Sequence, residues 1–307
     1  MLIAALKPHQ LQAFLAISDH GSIRAAARAL FISQPGLTRT LRELESELGV
    51  PLVLRGTAGI ELTAYGRAFK LRATRLLEDM LRAREELLQM RNSAAGTVRI
   101  GVSSLPSACV LPGAFVEFRR LVPDAILECL DGLLPVGLPL LRSGELDMLL
   151  TTTVEEIDEP DLRAEKIFTA SYHVAARASH PKSGATSLAE LMDDEWLAWD
   201  RTSLTALLEP AGLRPPVRVH PVRSFDTALA LALNADLLFF VSRDWLEKTE
   251  SATSLKVLEI REPLPLVTGY AIVRKDAQLT PACLQFLACV RDAAAGFMAH
   301  STRPKSC

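Results

Sequence analysis

The side chains best placed to do chemistry are Ser33, Gln34, Pro35, Thr38, Arg39 and Arg42. At about 100° per residue, Pro35, Thr38, Arg39 and Arg42 project from one side of a helix, with Gln34 beside them at its N-terminal end. Amide, hydroxyl and guanidinium groups on an exposed helix face can hydrogen-bond to base edges in a DNA major groove. Glu43, Glu45 and Glu47 lie on the same helix and oppose DNA unless they turn away from it. Catalysis has no comparable cluster. The six histidines (His9, His20, His173, His180, His220, His300) form no HxxxH pair, and the GxGxxG, GxxxxGK[ST] and GxSxG patterns are absent. No catalytic residue, metal ligand or cofactor is assigned, and no enzyme is expected.

The elements that must hold this face lie between Gly21 and Leu48, GSIRAAARALFISQPGLTRTLRELESEL. Ser22 is an N-cap, and Ala26, Ala27 and Leu30 make an apolar face small enough for a second helix to approach. Phe31 and Ile32 form the corner. Ser33 caps the next helix, with Pro35 in its first turn, where a missing N–H costs nothing. Leu37, Leu41, Leu44 and Leu48 recur at spacings of four, three and four, so one stripe is buried. Two short helices braced this way form a helix-turn-helix. Residues 8–18 supply a third helix.

At these residues the sequence resembles the LysR-type transcriptional regulators, a bacterial family. The match runs from Ala25-Ala26-Ala27 to Leu30, then Ser33-Gln34-Pro35, Thr38, Leu41, Leu44-Glu45 and Leu48-Gly49. It continues through Pro51-Leu52, Arg55, Leu62-Thr63 and Gly66. The family usually has Ala where Gly36 stands, a change that weakens a helical turn by roughly 1 kcal/mol. It usually has Phe where Val53 stands. Pro51 to Thr63 reads as a β-hairpin wing that lays Arg55 and Thr57 near the phosphate backbone or minor groove, where phosphate contacts give affinity and register and not sequence choice.

Thr63 caps a helix over 64–92 in which Phe69, Ala73, Leu76, Met80, Ala83, Leu87 and Met90 alternate spacings of four and three. That a/d seam needs a partner helix. The resemblance makes it the linker helix of a homodimer, with two recognition helices on half-sites related by a two-fold axis. Family members commonly form tetramers that bend DNA, so a homotetramer is a further expectation, and RNA polymerase a further candidate partner.

After Asn92-Ser93-Ala94-Ala95-Gly96 the pattern turns to strands alternating with helices, an α/β region with a mostly parallel sheet. Strands are expected over 97–103, 124–130, 147–151, 196–199, 217–222, 236–241, 255–260 and 266–273, with further strands near 163–176. Helices are expected over 108–121 and 134–142, after Ser187, from Ser203, from Ser224, and from Thr280-Pro281. The resemblance implies a two-lobed effector domain similar to periplasmic solute-binding proteins, and Gly144 to Thr152 match the family at the third strand. The chain is thus divided into a winged helix-turn-helix over 1–65, a linker helix over 66–92 and an effector domain over 93–307. Lobe I comprises 93–158 with 265–307, and lobe II comprises 159–264.

Ligands of open α/β sheets lie at the carboxyl ends of strands, where helix N-termini favour anions. Those positions hold Ser103, Ser104, Leu105, Thr151, Thr152, Ser224 and Phe225, with Arg201 and Thr202 before another helix. A carboxylate or sulfonate with a hydrophobic body is the expected effector. Where many relatives carry Gly and later Pro after the second-lobe helix, this chain has Asn234-Ala235-Asp236 and then Val241-Ser242.

Charge distribution agrees. The net charge is −2, yet residues 1–92 hold 13 Lys and Arg against 9 Asp and Glu, a basic front on an acidic body. The first ten residues have no signal-peptide pattern, and the run Ala228 to Val241 is broken by Asn234 and Asp236. A cytoplasmic protein with no membrane partner is expected; a solute-binding protein would need a leader and would not need the first 92 residues. The five cysteines (Cys109, Cys129, Cys283, Cys289, Cys307) lack CxxC or metal spacing and read as reduced thiols packed as small hydrophobes.

Overall fold

Serine caps open both helices of the corner, as their positions before apolar-periodic runs predict. Ser22 Oγ accepts from the Ala25 N–H at 3.4 Å and Ser33 Oγ from the Gly36 N–H at 3.2 Å. The computed structural model describes residues 6–56, 59–92, 96–249, 254–264 and 266–301. These fall into two units, residues 1–93 with 139–146 and residues 94–138 with 147–307.

The first 92 residues form α1 (Pro8–His20), α2 (Ile23–Ala29), α3 (Gln34–Leu48), β1 (Val53–Gly56), β2 (Gly59–Leu62) and α4 (Ala64–Asn92). Phe14, Ile17, Ala26, Leu37, Leu41 and Leu44 are fully buried together. Withdrawing each larger side chain from water stabilises the unit by about 1.5–3 kcal/mol. Buried Gln10 is satisfied on both sides: its Oε1 accepts the Lys7 N–H, and its Nε2 donates to Glu47 at 3.1 Å. Gly49 ends α3 at φ 70°, the left-handed position that glycine adopts without strain. The wing pairs Val53 with Leu62 and Gly56 with Gly59, and the Ile60 N–H donates to Gly21 O at 3.0 Å, docking it on the end of α1.

The rest of the chain forms β3 (Thr97–Val102), α5 (Ser104–Cys109), α6 (Leu111–Leu121), β4 (Ile126–Asp131), α7 (Leu134–Ser143), β5 (Met148–Thr153) and β6 (Leu162–Arg177). Then come β7 (Glu195–Ala198), α8 (Arg201–Leu208), β8 (Val219–Pro221), α9 (Phe225–Asn234), β9 (Leu237–Ser242) and α10 (Arg243–Lys248). The last elements are β10 (Leu255–Val257), β11 (Leu266–Arg274) and α11 (Pro281–Ser301). The strands run β4-β3-β5-β11-β6-β9-β7-β8, with β10 also on β6.

The strands expected near 163–176 are one 16-residue strand. Its first part pairs with β11 from Leu162 to Ser171, and its last part pairs with β9 and β10 from Tyr172 to Arg177. One strand therefore belongs to both lobes. The expected helix over 108–121 is two helices, and α8 starts at Arg201 rather than Ser203 because Asp200 caps it, accepting the Ser203 N–H at 2.7 Å. Ser187 caps only a single 3-10 turn, and α10 has no counterpart in the expectation.

α11 is long and apolar enough to cross a membrane by length and composition. One face of it is a core face. Cys283, Phe286 and Val290 are fully buried, and Phe286 meets Phe118 of α6 edge-on at 5.2 Å. Lobe II has its own core around Trp196, whose indole N–H donates to Leu191 O at 3.0 Å.

Candidate nucleic-acid interface and ligand cleft

Burial of Leu37, Leu41 and Leu44 fixes the rotation of α3 and leaves Gln34, Pro35, Arg39 and Arg42 exposed, with Thr38 half-buried between them. These side chains border one concave surface with Glu43, Ser46 and Glu47. Ser33 is exposed and spends its hydroxyl on the cap.

The three glutamates divide. Glu45 turns toward the wing and accepts the N–H groups of Leu52 at 2.7 Å and Val53 at 3.2 Å. Glu47 accepts from buried Gln10. Glu43 accepts from Arg39 Nε at 2.8 Å, and this guanidinium holds its carboxyl below the usual carboxylate range. Two of the three are thus engaged by the fold, and the third is paired with a cation of the exposed face. Arg55 lies in β1, its side chain outside the description; Thr57 lies outside the described residues.

The seam on α4 also divides. Phe69 packs on Phe14 with ring centres 5.4 Å apart, and Ala73 is fully buried in the same core. Ala73 belongs entirely to the N-terminal unit, correcting its assignment to the dimer seam, whereas Phe69 packs on that core and stays half-buried. From Leu76 onward the seam is open: Leu76, Met80 and Leu87 are 46%, 53% and 67% exposed, and Ala83 is exposed. The side chain of Met90 lies outside the description.

In the C-terminal unit a cleft of about 360 Å³ opens at the strand ends, adjoined by a smaller one of about 160 Å³ that shares several of its walls. Ser103, Ser104, Thr152 and Thr202 line the first and Phe225 the second. Four expected residues are placed elsewhere. Leu105 is fully buried in the lobe I core, because a side chain one position into α5 points back to the sheet. Thr151 is fully buried within β5, the Ser224 hydroxyl caps α9, and exposed Arg201 donates to Pro215 O at 3.4 Å.

The walls not anticipated are aromatic and apolar: Leu133, Tyr172, Trp199 and Phe240. Leu133 and Trp199 follow β4 and β7, so the strand-end rule reaches them; Tyr172 and Phe240 lie inside β6 and β9, where those two strands pair antiparallel, and the rule does not reach them. Burial pushes the Tyr172 phenol up, and its OH lies 3.5 Å from Thr152 Oγ1. Ser103 Oγ is buried without a hydrogen-bond partner. The charged residues lining the walls are Asp131, Glu155 and Asp200, and among the described lining residues there is no lysine, arginine or histidine. Arg223 stacks over the Trp199 ring at 5.8 Å. Cys109, Cys283 and Cys289 are at least partly buried as expected, whereas Cys129 is exposed on β4; Cys307 lies outside the described residues.

Comparison with known proteins agrees along most of the chain. Residues 8–67 match the bacterial regulatory helix-turn-helix of the lysR family, and residues 91–295 match the LysR substrate binding domain. The transcriptional regulator TdcA of Escherichia coli K12 is 26% identical over 90% of this chain and 89% of its own length. The regulator GbpR of Azospirillum brasilense is 25% identical over 95% and 88%. Among solved structures, the LysR-family regulator CbnR superposes with a TM-score of 0.71 at 24% identity, covering 94% of this chain and 99% of its own. Full-length CbnR bound to its target DNA gives 0.68 at 26% identity, covering 94% and 100%. A regulator with these parts is not an enzyme: the chain belongs to the LysR family of DNA-binding transcriptional regulators, with a helix-turn-helix before an effector-binding domain.

Proposed function

We propose that this regulator is a cytoplasmic dimeric switch whose DNA affinity is set by one small anionic effector in the cleft. The observation that carries the reading is the presence, in one chain, of an unobstructed polar α3 face and a lined cleft. Residues 1–65 bind DNA: Gln34, Pro35, Thr38, Arg39 and Arg42 enter the major groove, Ser33 fixes the helix start, and Arg55 and Thr57 hold phosphates. Residues 66–92 dimerise through Leu76, Met80, Ala83 and Leu87, and tetramers that bend DNA and touch RNA polymerase build on that dimer.

The effector binds within 93–307. Hydroxyls of Ser103, Ser104 and Thr152 take its carboxylate or sulfonate, with Thr202 on the opposite lobe, while Tyr172, Trp199, Phe225 and Phe240 enclose an apolar body. The charged groups on the walls, Asp131, Glu155 and Asp200, oppose negative charge, so the hydroxyls hold a single anionic group and each further charge should weaken binding. Binding tilts the lobes, changes subunit packing and resets the spacing of the recognition helices.

The test is fluorescence anisotropy on DNA from immediately upstream of the gene, beside a shuffled duplex, across a salt series. Tight, salt-sensitive binding of the native duplex alone is expected, and loss of it in Arg39→Ala. A panel of aromatic compounds carrying a carboxylate, a sulfonate, an amine or two carboxylates on one ring then tests the effector. Only the monoanions should shift the binding curve; a shift by the amines alone would overturn the anionic head.

A further inference from the structure

Phe31 is the one described residue other than glycine with a positive φ, at 55°. It ends α2 in a Schellman motif: its own N–H donates to Arg28 O at 3.2 Å, and the Ile32 N–H donates to Ala27 O at 3.0 Å. That motif requires a left-handed residue at this position and is ordinarily built with glycine, sometimes asparagine. The ends of α1 and α3 follow the rule, with Gly21 at φ 61° and Gly49 at φ 70°. At the end of α2 the chain instead carries a phenylalanine, a residue for which the left-handed conformation is disfavoured.

Packing does not explain the choice. Phe31 is 96% exposed, the most exposed large apolar side chain among the described residues. The fold therefore accepts backbone strain and a solvated aromatic ring at a place where glycine would avoid both. Strain kept without a structural return points to function. The location says which: Phe31 stands two residues before Ser33, the cap of α3, and three and four residues before exposed Gln34 and Pro35.

We infer that Phe31 is a DNA-contacting specificity residue, its ring packing on the groove wall beside the α3 N-terminus, against deoxyribose and the 5-methyl group of thymine. Apolar side chains read thymine through that methyl group. The assignment rests on the proposed entry of α3 into the major groove.

The experiment uses the full chain and a duplex selected by the wild type from a random pool. Phe31→Gly and Phe31→Asn relieve the left-handed strain, so each should raise the unfolding midpoint of the N-terminal domain by about 4 °C or more. Each should nevertheless bind the selected duplex roughly tenfold more weakly. Phe31→Tyr, which keeps both ring and strain, should retain binding. Replacing thymines by uracils in the duplex separates the two contacts. A loss for wild type but not for Phe31→Gly identifies the methyl group, and an equal response of both proteins places the ring on the sugar wall. Gly and Asn variants that bind as tightly as wild type overturn the inference, and leave the DNA-binding reading intact. A wild type that selects no duplex overturns both.

Discussion

Arg39 and Glu43 illustrate how one ion pair can restrain a binding surface. The pair is exposed and spans one helical turn, so it contributes little to stability. Its effect is expected on DNA, because Glu43 both neutralises Arg39 and carries negative charge on the face proposed to enter the major groove. Glu43→Gln should tighten DNA binding by about threefold to tenfold and steepen the salt dependence, as one more cation becomes available for counterion release. Thr38→Ala and Arg39→Ala should each weaken binding of the specific duplex by about 10- to 100-fold, with little change on shuffled DNA for Thr38→Ala. Anisotropy titrations at several salt concentrations measure all three. Thiol chemistry belongs at the same scale. Burial pushes the Cys109 thiol up to about 12, which keeps it protonated at neutral pH. Cys109, Cys283 and Cys289 should stay silent to a thiol reagent in the native protein while exposed Cys129 reacts, as peptide mapping after labelling would record.

Among the elements, α4 does two things with one heptad pattern. Its first turns close the winged-helix core through Phe69 and Ala73, and its later turns leave Leu76, Met80 and Leu87 in solvent. Met80→Glu should therefore give a folded monomer, seen as a halved mass in sedimentation with an unchanged circular-dichroism spectrum; a dimer that persists would show that another surface holds the subunits. The start of the helix is equally constrained. A Cβ on Gly66 would lie 2.0 Å from Leu52 O, so Gly66→Ala must push wing and helix apart. It should destabilise the domain by about 2–4 kcal/mol, readable in urea unfolding. The helical boundaries of the first 92 residues were legible because caps and stripes are local: Ser22, Ser33 and Thr63 announce starts, and Leu37, Leu41 and Leu44 name the buried face. Heptad spacing says that Phe69 and Leu76 share a stripe. It does not say that Phe14 covers one end of that stripe, which depends on the distant α1. The length of β6 was illegible for the same reason, since its two halves are distinguished only by their partners, β11 and β9.

At the scale of the whole molecule, the cleft proposed for the effector was half legible. Hydroxyls at strand ends led to Ser103, Ser104 and Thr152, because that rule follows from the topology of parallel sheets. Tyr172 and Phe240 meet at the cleft through the antiparallel pairing of the long β6 with β9, and no spacing in the sequence brings them together. A cleft in one unit and a DNA face in another can act as a switch only through linkage. If effector binding changes DNA affinity by some factor, DNA must change effector affinity by the same factor, typically about 5- to 150-fold. Trp199, in the cleft wall beneath Arg223, offers a fluorescence signal for the effector side of that cycle. Effector titrated with and without saturating specific duplex should give two dissociation constants. Their ratio should equal the ratio of DNA dissociation constants measured with and without saturating effector. Phe240→Ala, which opens the apolar wall, should weaken the effector by about 2–4 kcal/mol without moving DNA affinity in its absence. Equal effector affinity on and off DNA, with effector bound, would mean that the cleft is occupied without being coupled, and the switch would have to lie in assembly rather than in affinity.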